Sequence, residues 1–562
     1  MKNSSSQNLK ARACIAGLQK QIDSGFLHLN KMCTINGIFN SSKLDIHQQV
    51  SYELAFCVAE IEASKAMLDY SDNFSKEEPL CEILSLAFTA EVLTSIWQRL
   101  YTYASDAGLS KQALISILNS EAFESLMEKN GALTNFLTIG SKILEWGSLN
   151  VRPNLMLPSG LDQEKDMVRE SFVSFVDKIV LPQAERIHRQ DEDVPDEIIE
   201  EAAKMGCFGT SIPERFGGSM PDEKNDSLGM LVVTEELSRG SLGAAGSLIT
   251  RPEIAARALL EGGTENQKST WLPRLASGKY LAAISITEPD YGSDVASLSL
   301  KATKTENGWL LNGNKTWCTF AGKADVIVTI ARTDPDRKKG HRGLSMFLVE
   351  KPRFEGHAFN YQNPHGGRIS GKSIPTIGYR GMHSYDLSFE DYFVGDESLV
   401  GEEKGENNGF YLTMAGLSGG RIQTAARASG VMQAAIDKAV DYSLNRKVFG
   451  QTVGSFQLTK VKLAKMFIKL TASRQFSYSV AKLMDHGEGQ MEASLSKLFS
   501  CRAAEWVTRE ALQIHGGMGY AEESDVSRYF VDARVLSIFE GAEETLALKV
   551  IARRLIETAG DS

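Results

Sequence analysis

Apolar and polar positions recur along this chain with two different periods, and the changes of period divide it. From Gln48 to Asp69 the apolar residues Val50, Leu54, Phe56, Cys57, Val58 and Ile61 return at helical intervals. Ile83, Leu86, Ala87, Val92, Leu93 and Ile96 do the same, and residues 1–158 read as helical throughout. Pro153 and Pro158-Ser159-Gly160 then mark a linker. A second helical block runs from Glu164 to about Leu259, broken at Pro213–Gly218 and stopped at Gly262-Gly263. Near Tyr280 the period shortens. Two Asn-Gly pairs, Asn307-Gly308 and Asn312-Gly313, flank Trp309-Leu310-Leu311 and predict hairpin turns, because such turns need positive φ. Val326–Ile330, Leu344–Val349 and Asp386–Glu390 continue the strand pattern. After about Gly405, amphipathic stretches at Gly409–Arg446, Gln457–Met484 and Met491–Ile514 predict helices again. The expected fold class is α+β and multidomain. Its parts are an extra all-α segment at 1–158, a helical domain at 159–280, an antiparallel β sandwich or barrel at 281–400, and a C-terminal helical bundle at 401–562.

One helix has an echo. Placing Gln48 on Gln457 also matches Leu54 with Leu463, Ala55 with Ala464, Ala63 with Ala472 and Ser64 with Ser473, while Lys65 falls on Arg474. Both duplication and convergence of helix bundles account for it. If it is duplication, residues 1–158 are a decayed copy of the C-terminal helices and cover a surface that relatives use for assembly.

Composition narrows the partners. The 562 residues carry a net charge of -10, which disfavours a nucleic-acid backbone as ligand. No apolar run is expected to approach the ~20 residues that span a bilayer, and the N-terminus has no sustained apolar core of the kind a secretory signal needs. The seven cysteines form no C-x-x-C pair and the nine histidines no H-E-x-x-H, so no metal site is expected. Reduced thiols and a cytoplasmic location follow from the same count.

The segments that carry chemistry are Ile286-Thr287-Glu288-Pro289-Asp290-Tyr291-Gly292-Ser293-Asp294, Trp317-Cys318-Thr319, Arg446-Lys447-Val448-Phe449-Gly450, Gln513-Ile514-His515-Gly516-Gly517 and Phe539-Glu540-Gly541. Each alone has an ordinary structural reading. Glu540, for example, stands just before a helix, where acidic residues commonly serve as caps or dipole partners. In this order they resemble the flavin-binding and catalytic segments of acyl-CoA dehydrogenases, over about 400 residues. The resemblance implies that family's fold: a helical N domain, an antiparallel β middle domain and a C-terminal four-helix bundle, here preceded by the extra helical segment.

It also implies FAD as cofactor and assigns roles. Glu540 becomes the base that takes the α-proton of an acyl-CoA while hydride passes from Cβ to flavin N5. The Glu540 N–H, with a ribityl hydroxyl, becomes the donor to the thioester oxygen. Ile286, Thr287, Trp317, Cys318 and Thr319 line the isoalloxazine ring, and Ser293 serves the pyrophosphate or the substrate. Arg446 and the turn with Gln513, Gly516 and Gly517 bind the adenine-diphosphate half of an FAD held by a neighbouring subunit, and Gln457, after Phe456, matches the family's flavin-contacting Gln. Ala542 stands where most relatives have Thr, which puts a side-chain contact to flavin there in doubt. Gly420 occupies the position where a subset of relatives carries its base.

Three features narrow the resemblance to members acting on a short, branched acyl chain with a second carboxylate: the extension, an inserted Gly-rich loop, and Lys315–Gly322. A buried carboxylate needs a cation. Arg251 is nominated, with Arg257 second, Tyr379 or His383 assisting, and Arg421 and Gly541 beside the substrate. The implied partners are the acyl-CoA, electron-transferring flavoprotein as electron acceptor, and further copies of the chain, a dimer being favoured. The alternatives are a generic short-chain, branched-chain or glutaryl-CoA-type dehydrogenase, an oxidase, and, from another class, a nucleic-acid-binding stress flavoprotein on the same fold.

One motif is declined. Gly366–Ser373 fits the phosphate-loop spacing G-x-x-x-x-G-K-S, but no strand pattern precedes it and Pro375 follows with no helical period. A flexible insertion at the edge of the β domain is expected instead.

Overall fold

The structure, a computed structural model, describes residues 4–152 and 156–560; Pro153 of the expected linker lies outside them. It divides into two compact units. The first comprises residues 1–167, 424–483 and 489–562, so the N-terminal segment and most of the C-terminal helices form one body. The second comprises residues 168–423 and 484–488.

In the first unit the extension folds into the helices Ser6–Cys33, Gln48–Phe74, Leu80–Thr102, Lys111–Leu118, Glu121–Asn130 and Leu133–Ser148. Ser5, Ser110 and Ser120 accept from the amides of Asn8, Ala113 and Phe123, satisfying donors that a helix start leaves open. The all-helical expectation misses one hairpin, Thr34–Ile35 with Ile38–Phe39, turned by Asn36 and Gly37 at positive φ. The helix Leu80–Thr102 also corrects the reading that no run approaches membrane length. It is long and apolar enough by length and composition, but 67% of its apolar window is buried in the protein, with Leu84, Phe88, Leu93 and Ile96 in the core.

The extension packs on C-terminal helices. Phe88 meets Phe499 edge-on at 5.7 Å, and Trp146 meets Phe467 at 6.3 Å. At Gly140 a Cβ would lie 2.2 Å from the Lys460 carbonyl oxygen, so only glycine permits that approach. The echo holds at the helix level: Gln48 begins Gln48–Phe74 and Gln457 begins Gln457–Met484. The matched Leu, Ala, Ala and Ser pairs are buried in both.

The second unit carries the helices Leu181–Gln190, Asp196–Lys204, Ser227–Gly240, Thr250–Gly262 and Glu265–Ala276, then an eight-stranded sheet. Its order is Ala282–Ser285, Val326–Arg332, Lys301–Lys304, Gly308–Thr319, Ser384–Gly395, Arg368–Ser373 and Ala358–Gln362, with Leu344–Glu350 paired to Val326–Arg332. Ala282–Ser285 runs parallel to Val326–Arg332, so the sheet is mixed rather than purely antiparallel. Trp309, Leu311, Phe347, Tyr385 and Phe389 form its core.

Only the first Asn-Gly pair lies at a hairpin, between Lys301–Lys304 and Gly308–Thr319, and there neither Asn307 nor Gly308 has the expected positive φ. Asn312-Gly313 sits inside the strand Gly308–Thr319 at a bulge, where the Asn312 side chain and Asp391 exchange two 2.9 Å hydrogen bonds. The Gly366–Ser373 motif runs into the strand Arg368–Ser373, hydrogen-bonded on both sides. It is an ordered hairpin rather than a flexible insertion, and its backbone groups belong to the ladder.

Candidate active site

In the second unit, two of the singled-out segments are stitched edge to edge. Thr316 N–H donates to Thr287 O at 2.9 Å. Lys315, 1% exposed, sends its ammonium to Ile286 O at 2.7 Å and to Glu288 Oε1 at 2.9 Å. Glu288 also accepts from Ser299 N–H and Oγ–H, both at 2.7 Å, and from Leu300 N–H at 2.8 Å. Burial alone would raise the Glu288 carboxyl, but the Lys315 charge and these donors outweigh it and hold it below its ordinary range.

On this frame Trp317 is turned outward by a left-handed backbone (φ 57°), leaving the indole 55% exposed. Ile286 and Thr287 are half-buried and Ser293 is exposed. Cys318 lies in the β core with its thiol toward Ser285 and its pKa pushed up to about 12 by burial. The Thr319 hydroxyl is paired with Ser384 Oγ at 2.9 Å. With its side chain in the core, Cys318 has only its backbone to offer a ligand on the Trp317 side.

The helix Thr250–Gly262 begins beside a buried cation. Arg251 is 7% exposed, and its Nη1 has no hydrogen-bond partner among the described residues. A guanidinium N–H buried without an acceptor is costly, and an incoming anion relieves that cost. Arg257 is different: its guanidinium is paired with the buried Glu253, so it is not a free anion site. Tyr379 is buried at positive φ in a turn packed on Gly243, where a Cβ would meet Arg380 O at 2.2 Å. Arg421 is half-buried on the helix Gly409–Asn445, directly after Gly420.

The first unit holds the remaining segments. Arg446 follows the helix Gly409–Asn445 and leads into a hairpin whose tip exposes Phe449. The His515 ring stacks on Tyr442 with centroids 4.3 Å apart, tying the Gln513–Gly517 turn to the chain that leads to Arg446. Gln513, Gly516 and Gly517 are exposed, as is Gln457 at the start of its helix, while Phe456 is half-buried.

The Ser537–Ala542 loop has two consecutive residues at positive φ, Glu540 (54°) and Gly541 (98°). Glu540 does not cap the following helix, whose N-cap is Ala542. Its carboxylate is half-buried and has no hydrogen bond or ion pair with the described residues of its unit. The carbonyls of Phe539 and Gly541 both accept from Lys497. Downstream, Glu543 is clasped by Arg502 at 3.0 and 3.1 Å and by the Tyr52 hydroxyl from the extension.

Comparison with known proteins decides what these loops belong to. Residues 162–279, 283–392 and 407–556 match the family models for the acyl-CoA dehydrogenase N-terminal, middle and C-terminal domains. The chain belongs to the acyl-CoA dehydrogenase family. A (2S)-methylsuccinyl-CoA dehydrogenase of Cereibacter sphaeroides is 45% identical over 401 residues, 71% of each chain. Among solved structures, butyryl-CoA dehydrogenase from Megasphaera elsdenii aligns with a TM-score of 0.64 at 31% identity, covering 70% of this chain and 98% of that one. A glutaryl-CoA dehydrogenase bound to glutaryl-CoA aligns with a TM-score of 0.63 at 29% identity over 71% of this chain and 95% of that one.

This acyl-CoA dehydrogenase is therefore a flavin-dependent oxidoreductase whose cofactor is FAD. Its residues fit that group. Trp317 offers a flat apolar wall, and a Cβ on Gly516 or Gly517 would meet nothing within 4 Å, so the turn leaves room for a ligand against its backbone.

Sequence reasoning missed one charged cluster. His383 Nδ1 donates to Asp193 at 2.9 Å and Nε2 to Asp191 at 3.2 Å, with His357 on the Asp191 carbonyl oxygen at 2.9 Å. Asp191, His357 and His383 bring their ligand atoms within 4.8 Å of one another, but Arg380 Nε lies 3.5 Å from the same Asp191 carboxylate. The arrangement is a charged hydrogen-bond network, and it commits His383 to two carboxylates rather than to a substrate. The residues lie far apart in sequence, so no spacing signal announces them. Burial disfavours the imidazolium, yet the two aspartates outweigh it and hold the His383 pKa above its ordinary 6.5. Its stabilisation is therefore complete below that value and is lost as pH rises through the folded-state pKa. The melting-temperature gap between wild type and H383Q should be wide at about pH 6 and narrow at about pH 9. A gap that does not change with pH contradicts the charged form.

Proposed function

We propose that the protein oxidises the Cα–Cβ bond of a short, branched acyl-CoA bearing a second carboxylate, converting (2S)-methylsuccinyl-CoA to mesaconyl-CoA. The observation that carries this reading is Arg251, a buried guanidinium in the second unit whose Nη1 is open to an acceptor. The likeness to the methylsuccinyl-CoA enzyme supports it.

In this reading Glu540 takes the α-proton onto its carboxylate, and the Glu540 N–H donates to the thioester oxygen as charge builds there. Gly541 suits the turn: φ 98° strains any residue with a Cβ, and a Cβ there would meet the Leu546 side chain at 2.9 Å. Arg251 and Tyr379 hold the distal end of the acyl chain, with Arg421 and Ser293 also against the substrate. Ile286, Thr287, Trp317, Cys318 and Thr319 bind the ring portion of FAD. Arg446, Phe456, Gln457, Gln513, Gly516 and Gly517 take the remainder, and at Ala542 only the backbone is available. Bound FAD supplies the acceptor for the β-hydrogen and its electron pair. Electron-transferring flavoprotein then reoxidises the enzyme in the cytoplasm, where seven buried free thiols persist. The working assembly has at least two chains, and a sedimentation mass of one chain contradicts that part.

Arg251→Ala should lower kcat/KM for methylsuccinyl-CoA by roughly 30-fold or more, as expected when one partner of a buried charge pair is removed. The loss for isobutyryl-CoA, which has no distal carboxylate, should be small. Equal losses on both thioesters, measured with a dye acceptor, remove Arg251 from the acyl site.

A further inference from the structure

Lys497 lies on the helix Gln490–His515 and is 2% exposed. Its ammonium donates to Phe539 O at 2.7 Å and to Gly541 O at 2.6 Å, the carbonyls of the residues on either side of Glu540. A second buried cation, Arg427, places its guanidinium 5.0 Å from the Phe539 ring centroid. Two cations at a loop that a single amide could cap are more than structure alone requires, because burying an ammonium is costly.

We infer that Lys497 is a positioning residue for the oxidation, one that holds Glu540 in its left-handed turn and strengthens the N–H that meets the thioester oxygen. This rests on the reading of Glu540 given above. The Phe539 carbonyl and the Glu540 N–H belong to one peptide group. A cation on that oxygen draws electron density through the amide and makes the N–H a stronger donor, as in any chain of polarised hydrogen bonds. The Gly541 bond fixes the other side of the turn, so neither positive-φ residue can relax toward an ordinary conformation. The same buried charge favours negative charge on the substrate oxygen, which develops as the α-proton leaves.

The test uses the full-length, FAD-loaded enzyme with Lys497→Met and Lys497→Gln beside Glu540→Gln. Two assays are read besides stability and flavin content. One is kcat and KM for the thioester that reduces wild type fastest. The other is the enolate fraction of bound acetoacetyl-CoA, seen as long-wavelength absorption with oxidised flavin. K497M should lower kcat by roughly 10- to 100-fold with KM held within about 3-fold, and its bound acetoacetyl-CoA should need higher pH to enolise. K497Q, which keeps N–H donors but no charge, should fall between, and it carries the comparison alone if the methionine variant does not fold. Wild-type kcat and enolate absorption per bound flavin, even with a lowered melting temperature, would make Lys497 a purely structural cap and overturn the inference. Full turnover by E540Q would sink the parent reading instead, whatever the Lys497 variants do.

Discussion

Glu540→Gln should bind FAD and melt like wild type yet lose at least roughly 10³-fold in flavin reduction by its best acyl-CoA, near the upper range for removing a general base. The geometry explains why so much rests on one side chain. Glu540 holds a positive φ that a residue with a Cβ rarely adopts, it is not the cap of the helix that follows, and its carboxylate is uncommitted within its unit. Strain of that kind at an unpartnered acid points to use rather than to stability. By the family resemblance, Gly420 stands where a subset of relatives carries its base, so no second carboxylate is expected at that position. Gln keeps the size and the backbone N–H while removing proton-acceptor strength, so KM should change far less than kcat. Rapid-reaction absorbance at the flavin maximum checks this. E540Q with wild-type flavin reduction contradicts the assignment.

Lys315→Met should destabilise the β-containing unit by about 3–5 kcal/mol, the usual cost of leaving a buried charge without its partner. Lys315 and Glu288 are both nearly inaccessible, and the three remaining donors to Glu288, from Ser299 and Leu300, do not replace a full positive charge. The Glu288 carboxyl is held below its ordinary 4.5, so its contribution is fully present at neutral pH and is lost only as pH falls through the folded-state value. Removing the ammonium also frees the Ile286 carbonyl and loosens the edge on which Trp317 is displayed. FAD should accordingly dissociate at lower temperature than from wild type. Urea unfolding followed with flavin fluorescence reads both effects. Unchanged stability and unchanged FAD release in K315M would show that the pair does not frame the flavin segments.

Much of this organisation was legible because it is local. The helix starts at Gln48 and Gln457 and the strands Gly308–Thr319, Val326–Arg332, Leu344–Glu350 and Ser384–Gly395 follow from period and turn chemistry within a few residues; the hairpin at Gly366–Ser373 did not. Asn312-Gly313 misled because the same dipeptide that turns a hairpin also suits a bulge, and only its exchange with Asp391 decides between them. Leu80–Thr102 read as an ordinary amphipathic helix, and its burial on both the extension and the C-terminal helices is why it is apolar nearly all round.

What stayed hidden depends on distant partners. Lys315 pairs with a glutamate on a neighbouring segment, His383 with two aspartates nearly two hundred residues away, and Lys497 with the carbonyls of Phe539 and Gly541 on a later loop. A lysine in a helix sequence carries no mark of whether it is solvated or bonded to backbone, so nothing short of the fold distinguishes Lys497 from a solvated lysine. Arg251 was legible only as a nomination. Its burial and its open Nη1 set it apart from Arg257, which Glu253 already occupies.

The most direct measurement is anaerobic mixing of the purified yellow protein with methylsuccinyl-, glutaryl- and isobutyryl-CoA while the flavin absorbance is followed. The account predicts rapid bleaching by methylsuccinyl-CoA, slower bleaching by the other two, and mesaconyl-CoA as the product of the first. A protein that takes up no FAD, or whose flavin none of these thioesters reduces, contradicts it.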